Sequence, residues 1–276
     1  MDELSHASIQ SGVYSATRKV TACKHLDVDA MIAAIEDIRA KDTKNGILVV
    51  TESLFSMDSD TPDLAKLQAS CRNLNAILMV DAAHDLGCLG PDGRGHIGMQ
   101  KMLGKIDLVM GSFSKTFASN GGFLAMHKRS VRHFMKFYSG PHTFSNAISP
   151  VQCAVVSKVL EIVKSDLGQQ LRNDLLTAVD ALRDEFNNLD IKCMGNPSAI
   201  VPVPVGSEAT ARIASWLMFQ RGVLANLVEF PAVRARCARF RMQVMSSHTP
   251  EQTRAAAKVV AACIDEARDI ANSIKE

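Results

Sequence analysis

Lys115 stands in IDLVMGSFSKTFASNGGF, residues 106–123, just past an apolar run and among Ser112, Ser114 and Thr116. An amine at the end of a buried strand, surrounded by hydroxyls and glycines, suits a nucleophile placed beside a phosphate. The alternative is a loop lysine with its head in water. Asp81 closes the apolar run ILMV and His84 follows three residues later, so one tight turn can aim a carboxylate and an imidazole at a single ligand. A carboxylate at a buried strand end needs a cationic partner, because an unpaired charge there is costly. A protonated pyridine nitrogen is one such cation, and a local salt bridge to Arg94 is another. As a metal pair, Asp81 and His84 lack a third ligand at useful spacing. The glycines at 87, 90, 93, 95 and 98 spell neither a P-loop, since no GK[ST] closes them, nor a dinucleotide fingerprint, since they follow no strand directly.

The elements that must position these groups alternate along the chain. DVDAMIAAIEDIRA (27–40) has helical spacing behind an Asp N-cap, ILVV (47–50) reads as a strand covered on both faces, and Pro62 is placed to start the helix DLAKLQASCRNLN. The strand ILMV (77–80), a glycine-rich loop, a short helix near 98–103, the strand before Lys115 and the strand FLAMH (123–127) follow. Short apolar strands alternating with helices predict an α/β fold with a mostly parallel sheet and helices on both faces. Ligands collect outside the carboxyl ends of such strands, and Ser56, Asp81 and Lys115 each follow one. Helical patterns then cover 149–165 and 167–188, the second with Leu171, Leu175, Val179 and Leu182 on one stripe. Beyond them, AIVPVPV, a helix near 207–221, VLANLV, ARFRMQVM and a helix from Pro250 form a smaller α+β domain. The expected division is 1–170 and 171–276.

Composition excludes several classes. A net charge of +2 from 31 basic and 29 acidic residues gives no electrostatic reason to expect nucleic acid or an anionic membrane. No apolar run approaches a membrane span, and MDELSHASIQSG lacks the basic start and apolar core of a signal peptide. Seven widely spaced cysteines without a CxxC argue against a disulfide framework or a zinc site and fit a reducing, cytoplasmic setting.

VDAAHDLGCLGPDGRG followed by GSFSKTFASNGGF resembles the signature of the α-oxoamine synthases. These are pyridoxal-phosphate enzymes of fold-type I, among them 8-amino-7-oxononanoate synthase, serine palmitoyltransferase, 5-aminolevulinate synthase and 2-amino-3-ketobutyrate CoA ligase. DELSHASIQSG at the start, TESLFSMDSD (51–60), HTFSNAISP (142–150) and ARFRMQVMSSHTPEQ (238–252) extend the resemblance in the same order along the chain. It implies pyridoxal 5'-phosphate held on Lys115 as a Schiff base, with the same lysine later removing the α-proton of a bound amino acid. Asp81 would keep the pyridine nitrogen protonated, His6 would stack on the ring, and His84 would hydrogen-bond the phenolic oxygen, with Ser56 beside it. Ser112 would reach the phosphate, Ser145 the phosphate of the neighbouring subunit of a homodimer, and Arg241 the substrate carboxylate.

The implied reaction condenses an amino acid with an acyl thioester of coenzyme A or an acyl carrier protein, usually with loss of carbon dioxide, to give an α-aminoketone. The same resemblance leaves room for a truncated or non-catalytic partner subunit and for an aminotransferase of the same fold; the DxxH pair and the SHAS motif argue against the last. The chain opens at the His6 motif, so the family's N-terminal arm and phosphate-cradling turn are expected to be missing. Ser53 and Ser59 replace the family's glycines and SSH (246–248) its small alanines, substitutions expected to reshape the acyl or amino-acid pocket.

Overall fold

A computed structural model describes residues 1–273. They group into two compact units, Met1–Phe55 with Thr61–Gln169, and Ser56–Asp60 with the chain from Gln170 onward.

The first unit carries α1 (Ala7–Ala16), α2 (Val28–Lys41), β1 (Leu48–Glu52), α3 (Leu64–Asn73), β2 (Ile77–Asp81), α4 (Gly95–Met99), β3 (Leu108–Ser112), β4 (Gly122–Met126), α5 (Arg129–Tyr138), α6 (Gly140–Thr143) and α7 (Pro150–Val163). Its sheet has the order β1-β2-β3-β4, parallel across the first three strands and antiparallel at β4. Asp27 caps α2 as expected, its side chain accepting from Ala30 N–H. Pro62 lies outside α3, which Asp63 caps by accepting from Lys66 N–H. Met31 and Ile35 of α2 and Leu64, Leu67 and Cys71 of α3 form one core with Val49, Leu78 and Val80 of the sheet. This buried layer fixes the strand ends because a slip of one residue would turn Leu78 and Val80 out of the core. The short helix lies at 95–99 rather than 98–103. Its glycines supply little intrinsic helicity, and its start is fixed from outside, where His96 N–H donates to the buried Asp85 Oδ2 (2.7 Å). Helix α5 has no buried residue, and it exposes Phe134, Phe137 and Tyr138.

The second unit comprises most of α8 (Asp166–Asn188), then β5 (Ile200–Gly206), α9 (Glu208–Gln220), β6 (Asn226–Val228), β7 (Ala238–Gln243) and α10 (Pro250–Ser273). Its antiparallel sheet has the order β5-β7-β6. The apolar stripe of α8 buries Leu175, Val179 and Leu182, while Leu171 stays partly exposed at its N-terminal end. Ser56–Asp60 is a strap bound into this unit. Asp58 pairs with Arg239, Ser59 Oγ lies 2.7 Å from Ser198 Oγ, and Asn196 N–H donates to the Ser59 carbonyl (2.6 Å). Ser59 is fully buried by these contacts, so it serves the strap and does not line a pocket. Gly195 has φ +62°, and a Cβ there would stand 2.0 Å from the Asp58 carbonyl. Gly195→Ala is therefore expected to lower stability by at least about 2 kcal/mol, read as a fall in thermal midpoint.

Candidate active site

Asp81 and Lys115 stand at the carboxyl ends of the neighbouring parallel strands β2 and β3. Asp81 ends β2 with its side chain buried, and among the described residues its carboxylate accepts one hydrogen bond, from Ala83 N–H to Oδ1 (2.9 Å). Burial pushes this carboxyl up, while the Ala83 hydrogen bond and the nearby Lys115 and His6 hold it down. Lys115 sits in the loop that joins β3 to the antiparallel β4. Phe117, 2% exposed, anchors the loop, and Ala118 N–H closes a turn on the Lys115 carbonyl (3.0 Å). The Lys115 side chain is exposed and makes no hydrogen bond or ion pair among the described residues. A buried anion and an uncommitted amine thus share one sheet edge, an arrangement that stability does not require.

His6 caps α1 and is exposed, with Nδ1 accepting from Ser8 N–H (3.2 Å) and 2.8 Å from Ser8 Oγ. His84 is half-buried in the turn after Asp81. That turn is tied down by Asp85, whose Oδ1 accepts from Ser53 Oγ (2.8 Å) while Oδ2 takes the His96 N–H. Ser53 is fully buried in this knot, which corrects the expectation that it reshapes a substrate pocket. Burial pushes the Asp85 carboxyl up to about 6, against the hydrogen bonds that favour its charge. Gly95 is required beside it: its φ is +59°, and a Cβ there would lie 2.6 Å from the Asp85 carboxyl.

Ser112 Oγ lies 2.7 Å from Ser114 Oγ and accepts from Ser114 N–H (3.2 Å), a small hydroxyl and amide cluster just before Lys115. Ser145 donates to the Pro141 carbonyl on an exposed segment. Ser56 and Arg241 group with the second unit, where Arg241 Nε–H donates to the Ser56 carbonyl (2.6 Å). Burial pulls the Arg241 guanidinium down, although its Nε is already satisfied. In the same unit, His248 of the SSH segment accepts from Met245 N–H (3.3 Å) ahead of α10.

Sequence reading missed Glu52. It is 2% exposed at the end of β1, in register with Asp81, and it accepts the His6 N–H at 2.5 Å. The signal was present, since Glu52 closes ILVVTE just as Asp81 closes ILMVD.

The family model Aminotransferase class I and II matches residues 1–260. The chain belongs to this family. Among its relatives, the 8-amino-7-oxononanoate synthase of Geotalea daltonii is 30% identical over 94% of this chain and 65% of that protein. The 2-amino-3-ketobutyrate coenzyme A ligase of Escherichia coli is 30% identical over 91% of this chain and 62% of that protein. The chain therefore spans less than two thirds of the length of either. A solved structure of serine palmitoyltransferase with PLP as its internal aldimine superposes with a TM-score of 0.90 at 25% identity, covering 96% of this chain and 66% of that one. This family member thus has the fold-type I architecture, and the resemblance read from its motifs is borne out. Among its described residues no helix is long and apolar enough to cross a membrane.

Proposed function

We propose that the chain is a pyridoxal 5'-phosphate-dependent acyltransferase of the α-oxoamine synthase type. It would condense an amino acid with an acyl thioester of coenzyme A or an acyl carrier protein and release an α-aminoketone. The observation that carries this reading is the uncommitted Lys115 amine beside the buried Asp81 carboxylate, on the carboxyl ends of adjacent parallel strands. The donor set fits the cofactor: an amine for its aldehyde, a buried carboxyl for its ring nitrogen, and the hydroxyls of Ser112 and Ser114 for its phosphate. When bound, the cofactor supplies an electron sink that lets an amino acid give up its Cα proton.

The chain's own residues supply the rest. Asp81 holds the proton on the ring nitrogen by being an anion in a buried place. His6 covers the ring face and excludes water from it. Lys115 Nζ takes the proton from Cα, and His84 donates toward the phenolic oxygen and later toward the acyl carbonyl. Arg241 grips the substrate carboxylate through the guanidinium nitrogens that its Ser56 contact leaves available.

We assign the cofactor to residues 1–170 and the smaller domain to 171–276. A cytoplasmic homodimer is the working form we infer. Seven free cysteines support the compartment, and the exposed Phe134, Phe137, Tyr138 and Phe144 support a second subunit, with Ser145 directed to its phosphate.

The test is to add pyridoxal phosphate, scan the visible absorbance, reduce with borohydride and map the adduct by peptide mass. A coloured protein labelled at Lys115 is the expected result. A colourless protein, or a label on other lysines only, sinks the assignment.

A further inference from the structure

We propose that Glu52 is a positioning residue, whose buried carboxyl fixes the His6 backbone and thereby sets where the His6 ring stands over the cofactor. This rests on the reading of Lys115 and Asp81 as the cofactor site.

Three observations carry it. Glu52 ends the buried strand β1, so its backbone is held by the Leu48 to Asp81 ladder and its side chain has no freedom to reach water. Its Oε1 takes the His6 N–H at 2.5 Å, the shortest tie between the sheet and the start of α1. Helix α1 needs that tie, because Ile9 is its one buried residue among ten and contributes little packing of its own. A ring that must lie flat on a flat cofactor gains from a fixed backbone, since misplacement by about 1 Å costs on the order of 100-fold in rate.

The electrostatics explain why a carboxyl stands there without spoiling Asp81. Glu52 is faced by Asp81 from β2 and by Asp2 and His25 from the segments flanking α1, with the His6 N–H at its oxygen. Burial, then the two aspartates, push Glu52 up to about 8, while the His6 hydrogen bond and His25 pull the other way. Near neutral pH it is therefore the member of the acid pair that keeps a proton. Burial pushes Asp81 up as well, but the Ala83 hydrogen bond, Lys115 and His6 all favour its charged form, the form a protonated ring nitrogen would pair with.

Two variants separate the roles. Glu52→Gln keeps an acceptor oxygen for His6, whereas Glu52→Leu keeps none. In the cofactor-free chain, the His6 amide resonance is followed by proton–nitrogen NMR between pH 6 and 9. It is expected to titrate near pH 8 in the wild type, to stay fixed in Glu52→Gln, and to exchange with solvent at least tenfold faster in Glu52→Leu.

With cofactor, Glu52→Leu is expected to retain the Lys115-dependent absorption and to lose about tenfold or more in kcat, with Glu52→Gln within about twofold of wild type. A wild-type His6 amide that neither titrates nor changes its exchange when Glu52 is replaced overturns the proposal, as does full kcat in Glu52→Leu. Should Glu52→Leu not fold, the wild-type and Glu52→Gln titrations decide. A wild-type chain that shows no cofactor absorption overturns the cofactor reading instead, and the hold on His6 then stands or falls on the amide resonance.

Discussion

Lys115→Ala is expected to lose turnover by on the order of 1,000-fold or more and to remove the visible absorption of the cofactor-loaded protein, while the thermal midpoint of the cofactor-free protein stays within about a degree or two of wild type. The contrast follows from where the lysine sits. Its side chain is exposed and makes no hydrogen bond among the described residues, so truncation creates no cavity and strands no buried polar group. The loop keeps its shape through Phe117 and through main-chain bonds, Ala118 N–H to the Lys115 carbonyl and Ser119 N–H to the Phe113 carbonyl, which alanine preserves. Thiol release from an acyl thioester, followed with a thiol reagent, measures the first part, and differential scanning measures the second. Retained turnover in Lys115→Ala would remove this lysine from the chemistry.

Asp81→Asn should weaken cofactor binding by on the order of 100-fold, since it takes the anion from a buried charge pair and leaves the ring nitrogen's proton uncompensated. The pH dependence has a definite sign. Burial raises the Asp81 carboxyl in the cofactor-free protein, so its contribution to stability is fully present below the unfolded value and is lost as pH rises through the folded one. A protonated ring nitrogen beside the carboxylate reverses that loss. The rise in thermal midpoint on adding cofactor is therefore expected to grow as pH increases through the Asp81 titration, and to lose this pH dependence in Asp81→Asn. An equal cofactor-induced shift at all pH values in the wild type would contradict the pairing.

What could be read from the chain was local. ILMV announced the strand that ends on the buried Asp81, and the spacing of Met31 and Ile35 behind Asp27 announced a capped helix, whereas the apolar run before Lys115, read as a buried strand, is a strand only half-buried along most of its length. The family motifs then gave an ordered set of site residues, although Ser56 and Arg241 fall in the second unit while Asp81, Lys115, His6 and His84 share the first. What could not be read depended on distant partners. Ser53 looks like a polar substitution in a loop, and only the fold shows it saturated by Asp85, 32 positions away. Ser59 meets Ser198 across 139 positions. The start of α4 is set by Asp85 rather than by its own glycine-rich sequence, which displaced it from where periodicity pointed.

The Ser56–Asp60 strap has a consequence for how the protein is made. Its Asp58 must meet Arg239, 181 positions later. At synthesis rates of roughly 5–20 residues per second, the strap leaves the ribosome about 10–40 seconds before its partner exists. Throughout that interval β1 and α2 can settle, while Asp58 and Ser59 wait in water. The C-terminal half expressed from residue 170 onward would lack the strap and leave Arg239 and Ser198 without these partners, so a small unit stable in isolation must be cut to include residues 56–60, joined by a linker.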